Sequence, residues 1–401
     1  MQESSTDTKV TIGVSIVIPS WNGLEFLKRF LPSVTAAAVH YQQERNGPTE
    51  IVIVDDGSGD DSVDWLLGQG FFDFTTPDKD LAQPAQSYIN SASKSQIKTN
   101  HLSVLGPPHP CQKLIRNELN QGFGPSCNLG FEAALHPLVF LLNNDVEVDL
   151  QAIAPLVENF TDDSVFAAHC RVFDLESRQE CGSGKIGGFQ KGFIRVHRSY
   201  VNVKQSSSAE EEETAQQKRD YSMFASGGSA MFNRKTFLQI GGFDGLLAPG
   251  YWEDVEISYR AWKRGYSVYY EPRSVVHHRV SSTMRKLNQR RLTRMKQRNR
   301  LIWHWLDLHD QKLLVAHVLW VILLSLSAPL RLQPGFLLAV GAALSKLGSI
   351  RKRRREERGA MRRSDAEVFD MFASLERRPD IFCFDGYAEL KALEAKRGNN
   401  L

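Results

Sequence analysis

Two apolar, β-branched runs, each followed by a polar turn and an amphipathic stretch, constrain the fold of this chain most strongly. The first is VSIVIP (14–19), followed by SWNG and LEFLKRFLPSV, and the second is EIVIVDDGSGDDSVDWLLGQ, which begins at Glu50. Strand, turn and helix repeated in this order predict an α/β fold with a parallel sheet. The segments KLIRNELNQGFGPSCNLGFEAAL and LVFLLNNDVEVD add further strands with a helix between them. In such sheets ligands bind at the carboxyl ends of the strands.

Positive charge is concentrated in the last third of the 401 residues, although the net charge is only +3. Met284 to Arg300 contains eight Arg or Lys and no acid, and RKRRREER begins at Arg351. This asymmetry predicts an anionic partner. The basic runs adjoin apolar segments and not interleaved aromatic residues, which favours membrane lipid over nucleic acid.

Five scattered cysteines without a CxxC spacing argue against a disulfide framework or a zinc site. The N-terminus, MQESSTDTKV, is polar where a signal peptide would be basic and then apolar. The sequence therefore predicts a cytoplasmic catalytic part.

The segment LLVAHVLWVILLSLSAPL (313–330) has 18 residues without Lys, Arg, Asp or Glu, and GFLLAVGAAL follows after RLQP. A membrane-spanning helix needs about 20 apolar residues. With basic residues on both sides, the pattern favours an interfacial helix or a shallow hairpin, hence a peripheral or monotopic protein at the cytoplasmic face. A buried helix packed on the catalytic domain remains the alternative.

Composition divides the chain into four parts. Segments poor in apolar residues carry too little surface to offset the entropy of ordering them, so we interpret two of them as surface insertions. The expected parts are a polar tail (1–12), a catalytic α/β domain (13–282) with insertions at about 74–112 and 201–220, a basic and apolar helical membrane-associating region (283–350) and a charged tail (351–401).

Acids follow two of the predicted strands. Asp55 and Asp56, in DDGS, can accept hydrogen bonds from a base or a ribose, although Asp-Gly is also a good turn. Asp145, in LLNNDVEVD, suits Mg2+ or Mn2+, which would neutralise a diphosphate, but a polar strand exit is the simpler alternative. His277 and His278 end another strand-like run, and strand alternation predicts that at most one of them faces such a metal.

The stretch YWEDVEISYRAWKRGY (251–266) places Glu253 and Asp254 at the start of an amphipathic pattern, after the glycine-rich ASGGSAMFNRKTFLQIGGFDG. Asp254 at a helix N-terminus facing a pocket could act as a general base. The helix dipole would lower its pKa, and burial beside Tyr251 and Trp252 would raise it. The alternative is an acidic first turn that only complements the dipole.

Together these motifs resemble the family 2 inverting glycosyltransferases of the GT-A fold, a Rossmann-like architecture. SIVIPSWNG, VDDGS, NQGFGPSCNLG, LLNNDVEV, GGFDGLLAPGYWEDVEISYRAWKRGY and the closing HH occur in the family's order between about Val14 and Ser282. The resemblance is closest to the rhamnosyltransferase-like branch, which builds bacterial surface polysaccharides.

The resemblance implies a UDP- or dTDP-sugar donor, a glycan or lipid-linked acceptor, a divalent metal on the donor diphosphate, and inversion in a single displacement. Family members often carry Asp-x-Asp at the metal position, and here Asn143 replaces the first acid. The residues that it implies are Asp254 as the catalytic base; Pro19, Ser20, Asn22, Asp55, Asp56, Asn120, Gly122, Phe123, Gly124, Asn128 and Asn144 around the donor; Trp252 and Glu253 toward the acceptor; and Asp145 with His277 or His278 at the metal.

Two other functions remain open at this point. A sugar-nucleotide nucleotidyltransferase also joins a parallel sheet to a divalent metal, but it should carry a glycine-rich loop with Arg or Lys after the first strand, and SWNG is not such a loop. A non-catalytic nucleotide-sugar or glycan-binding protein is the alternative if Asp254 is not placed for catalysis.

Overall fold

The described part of the chain covers most of the predicted catalytic domain and the C-terminal region. It comprises, in a computed structural model, residues 11–74, 110–203, 219–279, 289–330, 334–386, 388–390 and 392. The predictions for the N-terminal tail and for most of both insertions therefore fall outside the described residues.

Strands and helices alternate along the first part of the chain. They are β1 (Val14–Ser20), α1 (Leu24–Arg45), β2 (Thr49–Asp55), α2 (Ser62–Gly68), β3 (Phe72–Asp73), β4 (Cys111–Arg116), α3 (Phe123–Ala133) and β5 (Leu138–Leu142). The Val- and Ile-rich runs of β1 and β2 are buried along their whole length, as expected for parallel strands that are covered on both faces.

Shorter strands and helices follow as far as the second half of the sheet. They are β6 (Val146–Val148), α4 (Ile153–Val157), β7 (Val165–Asp174), β8 (Glu180–Gly182), β9 (Gly184–Gln190), β10 (Phe193–Asn202), β11 (Asp220–Tyr221), β12 (Ser229–Asn233), α5 (Arg234–Gln239), a 3-10 turn (Gly245–Leu247), α6 (Glu253–Lys263) and β13 (Ser267–His278). The C-terminal elements are α7 (Gln289–Asp307), α8 (Gln311–Ser327), α9 (Pro334–Leu344), α10 (Leu347–Ala360), α11 (Asp365–Glu376) and β14 (Ile381–Phe384).

The central sheet of the described residues has the order β11-β13-β7-β12-β5-β1-β2-β4-β3, with β6 and β8 attached at one side. Strands β5, β1, β2, β4 and β3 are parallel, and β12 runs antiparallel between β5 and β7. The register pairs Ser20 with Asp55, so β1 and β2 end side by side. This arrangement confirms the α/β fold predicted from the strand-turn-helix units.

Alternate residues of β1 build the core on the two faces of the sheet. Val17 belongs to a cluster with α3 and α6, whereas Ile16 and Ile18 pack with α1. Because successive strand side chains point to opposite faces, a run of only apolar residues fills both layers.

The C-terminal region is packed on the sheet domain. Strand β14 pairs with β10, which also pairs with β9, in a second, antiparallel sheet. The range interpreted as a charged tail therefore contains most of α10, α11 and a strand. Helix α8 buries His317 and Val321, while several of its large apolar side chains are exposed. Within the described ranges, every helix is too short or too polar to cross a membrane.

Candidate active site

The loops after β1 and β2 are joined by hydrogen bonds between their polar residues. Asn22 donates its backbone N–H to Ser58 Oγ (2.9 Å), and its Oδ1 accepts from the Gly59 N–H (2.8 Å). Asn22 has φ 48°, in the left-handed region that Asn tolerates better than most residues. Asp60 accepts from the Leu24 N–H (3.2 Å) and satisfies a free donor at the start of α1. The two strand ends therefore form one polar rim.

Asp55 carries a buried carboxylate oxygen without a partner at this rim. Its Oδ2 accepts from the Ser58 N–H (3.1 Å), whereas Oδ1 has no hydrogen-bond partner among the described residues. Pro19 and Ser20, which end β1, lie beside it in the sheet. Since a buried acceptor without a donor is costly, Oδ1 is suited to accept a hydrogen bond from a ligand.

Asp56 organises the loop between β4 and α3. Its Oδ1 accepts from the Asn117 side chain (2.8 Å) and from the Gln121 N–H (2.9 Å), and its Oδ2 accepts from the Gly122 N–H (2.9 Å). Asn120 lies in the same loop and is exposed. Asp56 thus positions the predicted pocket residues of this loop.

The start of α3 contacts the loop that precedes α6. The Phe123 N–H donates to the Pro249 carbonyl oxygen (2.9 Å). A Cβ at Gly122 would lie 2.5 Å from that oxygen, and Gly122 has φ 96°, so only glycine fits there. The backbone of α3 can therefore approach the loop that carries the predicted acceptor residues.

Asn128 fixes α3 to the turn before the 3-10 segment. Its Oδ1 accepts a hydrogen bond from the Phe243 N–H (2.9 Å), and its Nδ2 donates one to the Phe243 carbonyl oxygen (2.9 Å). Gly124 is buried against Phe243, and a Cβ added at Gly124 would lie 3.3 Å from the Phe243 Cβ. The amide of Asn128 is therefore committed to the protein backbone.

Asp145 follows β5 and is 7% exposed. Its Oδ1 lies 3.1 Å from Nε2 of His278, at the end of β13. The preceding Asn144 donates to Ser20 Oγ (2.9 Å), which joins this loop to β1. A Cβ at Gly23 would come within 2.3 Å of the Asn144 amide, so the start of α1 can pass this close only as glycine.

His277 has other partners. Its Nε2 lies 3.2 Å from Asp149 Oδ1, and its Nδ1 lies 3.1 Å from the Arg178 guanidinium. Of the two histidines proposed from the sequence, His278 and not His277 is therefore beside Asp145. The described residues contain no group of three or more His, Cys, Asp or Glu side chains that could hold a metal ion.

Gly227 and Gly228, before β12, connect the Asp145 loop to α6. The Asn143 N–H donates to the Gly228 oxygen (3.1 Å), and a Cβ at Gly228 would lie 2.4 Å from the Asn143 amide nitrogen. The Gly227 N–H donates to Asp254 Oδ2 at 3.4 Å. The backbone of this glycine-rich segment therefore lies close to Asn143 and Asp254.

Glu253 and Asp254 begin α6, but their environments differ. Asp254 also accepts from the Val255 N–H (2.8 Å); burial raises the pKa of Asp254, and the hydrogen bonds from Gly227 and Val255 oppose that rise. Glu253 is 8% exposed, and its Oε2 has no partner among the described residues. Burial, with the nearby Asp254 and Glu256 charges, raises the pKa of Glu253 to about 8. Glu253 therefore keeps its proton at neutral pH, which leaves Asp254 as the candidate base.

Two consecutive left-handed residues precede this pair. Tyr251 and Trp252 have φ 75° and 76°, which is strained for residues with side chains. Asn299 of α7 donates to the oxygens of Gly250 (2.8 Å) and Tyr251 (3.1 Å), and the Trp252 ring stacks on buried Trp303 with centroids 5.4 Å apart. Helix α7, predicted only as a basic membrane-associating element, thus holds the loop in front of Asp254.

Sequence reasoning missed the residues that position the site. Asn117, Asp60 and Asn299 act on loops far from them along the chain, and a single polar residue gives no local pattern that predicts such a contact. Glycine at 227 and 228 permits a close backbone approach, but the pair gives no signal for Asn117, Asp60 or Asn299.

Two family profiles match the chain. The profile "Glycosyl transferase family 2" matches residues 15–71 and 107–241, and "Glycosyl transferase family group 2" matches 185–350. The chain belongs to glycosyltransferase family 2. The gap in the first match overlaps the segment that we interpret as an insertion. The family predicted from the sequence is confirmed, and the rhamnosyltransferase branch stays a prediction.

One curated protein and two solved structures are similar to this chain. The chain is 27% identical over 173 residues to the probable N-acetylgalactosaminyltransferase 9 of Caenorhabditis elegans, over 41% of this chain and 28% of that protein. It is similar to GalNAc-T7, solved with UDP, GalNAc and Mn2+, with a TM-score of 0.50 and 19% identity over 76% of this chain and 49% of the other. Mannosyltransferase PcManGT from Pyrobaculum calidifontis, with GDP-Man and Mn2+, gives a TM-score of 0.43 and 15% identity over 92% and 87%.

The GT-A fold predicted from the motifs is confirmed by the sheet and by the similarity to GalNAc-T7. The match spans about half of that structure and less than a third of the curated relative. Conclusions about substrates consequently depend on the site itself.

Proposed function

We propose that this glycosyltransferase transfers a hexose or deoxyhexose from a nucleotide sugar to a hydroxyl group of a glycan or lipid-linked acceptor, with inversion. Surface polysaccharide or glycoconjugate synthesis at the cytoplasmic face of a membrane is the expected setting. The rhamnosyltransferase resemblance makes rhamnose the first sugar to test.

One observation carries the proposal. Gly227 hydrogen-bonds to Asp254, and the adjacent Gly228 hydrogen-bonds to Asn143, which lies two residues before Asp145. A candidate base and the loop that carries a candidate metal ligand are thereby held at one strand start. An inverting transferase needs a base and a metal within reach of one sugar, because the attacking hydroxyl loses its proton as the diphosphate leaves.

The donor nucleotide would bind along the rim formed by β1 and β2. The unpartnered Oδ1 of Asp55 can accept a hydrogen bond from a base N–H or a ribose hydroxyl. Asn22, which is exposed at the same rim, lies at its open side.

Asp145 and His278 fit part of a divalent metal site, since a carboxylate oxygen and an imidazole nitrogen only 3.1 Å apart can share one ion. The remaining positions would fall to donor oxygens and water. When bound, Mg2+ or Mn2+ would stabilise the negative charge on the departing nucleoside diphosphate.

Asp254 would remove the acceptor proton during a single displacement, because a hydroxyl group is not ionised at neutral pH. Its place in the first turn of α6 fixes the carboxylate against Gly227. Protonated Glu253 would donate a hydrogen bond to the acceptor or to the sugar.

A donor screen tests the proposal. Nucleotide release is measured from UDP-, dTDP- and GDP-sugars, including dTDP-rhamnose, with Mg2+, Mn2+ or EDTA. We expect one sugar class to be cleaved and EDTA to suppress release. Nucleotide binding without release from any donor, with acceptor extracts present, would instead support a non-catalytic binding protein.

A further inference from the structure

A cavity of about 190 Å3 lies between the β9–β10 hairpin and the helices α7, α8 and α9. Since a water molecule occupies about 30 Å3 of the liquid, a group of several heavy atoms fits there. None of the described residues that line it is acidic. The lining includes Arg195, Gln297, Arg300, Ser327, Leu324 and Phe336.

The two arginines at this cavity lack counterions. In the described ranges no salt bridge joins Arg195 or Arg300 to an acid, and the buried Nε of Arg300 has no acceptor. Among the described residues, the Arg300 guanidinium makes one hydrogen bond, a long one from Nη2 to the Ile194 oxygen at 3.4 Å. Burial and the Arg195 charge lower the pKa of Arg300 to about 10, so Arg300 is still cationic at neutral pH. An anion in the cavity would relieve this repulsion.

The cavity adjoins the acceptor side of the site. The Arg300 guanidinium carbon lies 4.4 Å from the Phe193 ring centroid and 5.6 Å from that of Trp252. Trp252 directly precedes Glu253 and Asp254. An anion bound by Arg300 would therefore be separated from the catalytic loop by a single aromatic ring.

An exposed apolar face borders the cavity on its other side. Helices α8 and α9, which contribute Leu324 and Phe336 to the lining, also carry large exposed apolar side chains. Contiguous exposed apolar surface marks a contact with lipid or protein. These side chains include Val315 (59% exposed), Leu319 (61%), Ile322 (49%), Leu326 (73%) and Leu338 (56%).

We propose that this cavity holds the phosphate group of a lipid-linked acceptor, whose hydrocarbon chain lies along the exposed faces of α8 and α9. The inference rests on the proposed transferase function and specifies its acceptor class. Guanidinium groups bind phosphate oxygens in paired hydrogen bonds, and the adjoining apolar helices match a hydrocarbon chain. The position beside Trp252 would place the carried sugar or hydroxyl toward Asp254.

Calorimetric binding of decyl phosphate, below its micelle concentration, tests the proposal against decanol and inorganic phosphate. We expect decyl phosphate to bind at least about tenfold more tightly than either, because only it engages both features. Arg195→Gln, at an exposed position, should weaken binding by about tenfold, and Arg300→Gln by at least as much. Arg29→Gln is the matched control, since Arg29 is also exposed and lies 5.0 Å over Phe30, on α1.

Equal binding of decyl phosphate by the wild type and Arg195→Gln would overturn the proposal. Equally tight binding of inorganic phosphate would overturn the lipid assignment. A parallel measurement uses vesicles of anionic phospholipid, and a protein that binds these vesicles but not decyl phosphate would overturn it as well. Donor cleavage by the wild type without acceptor reports on the proposed function separately. A protein that binds decyl phosphate but cleaves no donor would refute the transferase and not the lipid phosphate site.

Discussion

The side-chain amide nitrogen of Asn299 lies 3.1 Å from the carbonyl oxygen of Tyr251, and it also contacts the oxygens of Gly250 and Leu247. A buried residue of the basic helix α7 thereby fixes the strained loop in front of Asp254. The position of the candidate residues Glu253 and Asp254 consequently depends on a helix that sequence analysis assigned to the membrane region.

Replacing Asn299 by leucine should impair both stability and catalysis. Removing the donors of Asn299 leaves buried carbonyl oxygens unsatisfied, which should lower the free energy of unfolding by about 1–3 kcal/mol. Nucleotide release should fall about tenfold or more, because Asp254 loses its support. Urea unfolding and donor cleavage measure the two effects. Arg294→Leu, at an exposed position of the same helix, is the control, and equal effects of both variants would contradict this role.

Glu253→Gln should be active at pH 7, since glutamine has the charge of the protonated Glu253 that a pKa of about 8 implies. Above pH 8 the wild-type Glu253 ionises beside Asp254, and the variant should lack that transition in its pH-rate profile. The free energy of unfolding should also depend on pH. Between the usual pKa of 4.5 and about 8, Glu253 is protonated in the folded state and ionised in the unfolded chain, so wild-type stability falls as pH rises through this window. A hundredfold loss at pH 7 would assign catalysis to Glu253.

Acidification should loosen the β9–β10 hairpin. His304 Nε2 accepts from the Ile194 N–H (2.7 Å), and His317 accepts from the Trp305 indole N–H (3.1 Å) while donating to the Gly192 oxygen (2.7 Å). Both imidazoles are therefore neutral, and burial lowers the pKa of His317 to about 4. As pH decreases, the two imidazoles take up protons in the unfolded chain before they do so in the folded protein. The free energy of unfolding therefore falls below about pH 6.5, by up to about 3 kcal/mol at His317.

Urea unfolding between pH 7.5 and 5 measures this dependence. His317→Asn, which keeps a donor for the Gly192 oxygen but cannot titrate, should show a flatter profile than the wild type. An identical pH slope in the variant would show that His317 does not contribute.

Asp365→Asn should destabilise the whole domain. The buried carboxylate of Asp365 accepts from Tyr259 Oη (2.5 Å), Lys263 Nζ (2.7 Å) and the backbone N–H groups of His309 (2.7 Å) and Asp310 (2.6 Å). Removing its charge leaves Lys263 buried and unpaired, at a cost of about 3–5 kcal/mol.

Asp370→Asn, on the exposed face of the same helix, is the control for this measurement. Similar unfolding midpoints for Asp365→Asn and Asp370→Asn would show that the C-terminal helices are independent of the catalytic helix α6.

Local patterns predicted the sheet well, because VSIVIP and EIVIVD bury every residue and the polar turns must then follow at one edge. They also indicated Asp55, Asp145 and Asp254 as site residues. They could not tell that Asp56 and Asn128 bond to the protein's own backbone, or that His278 and not His277 meets Asp145. Those distinctions depend on contacts across more than 60 residues of sequence, which no periodicity records.

The most direct test of the account is a time course of donor consumption by nuclear magnetic resonance, which follows the anomeric proton with the wild type and with Asp254→Asn. We predict that the wild type forms the anomer opposite to that of the donor. Asp254→Asn should still bind the nucleotide, yet transfer at least about a hundredfold more slowly. Retained configuration, or near-normal turnover by Asp254→Asn, would contradict Asp254 as the base of an inverting displacement.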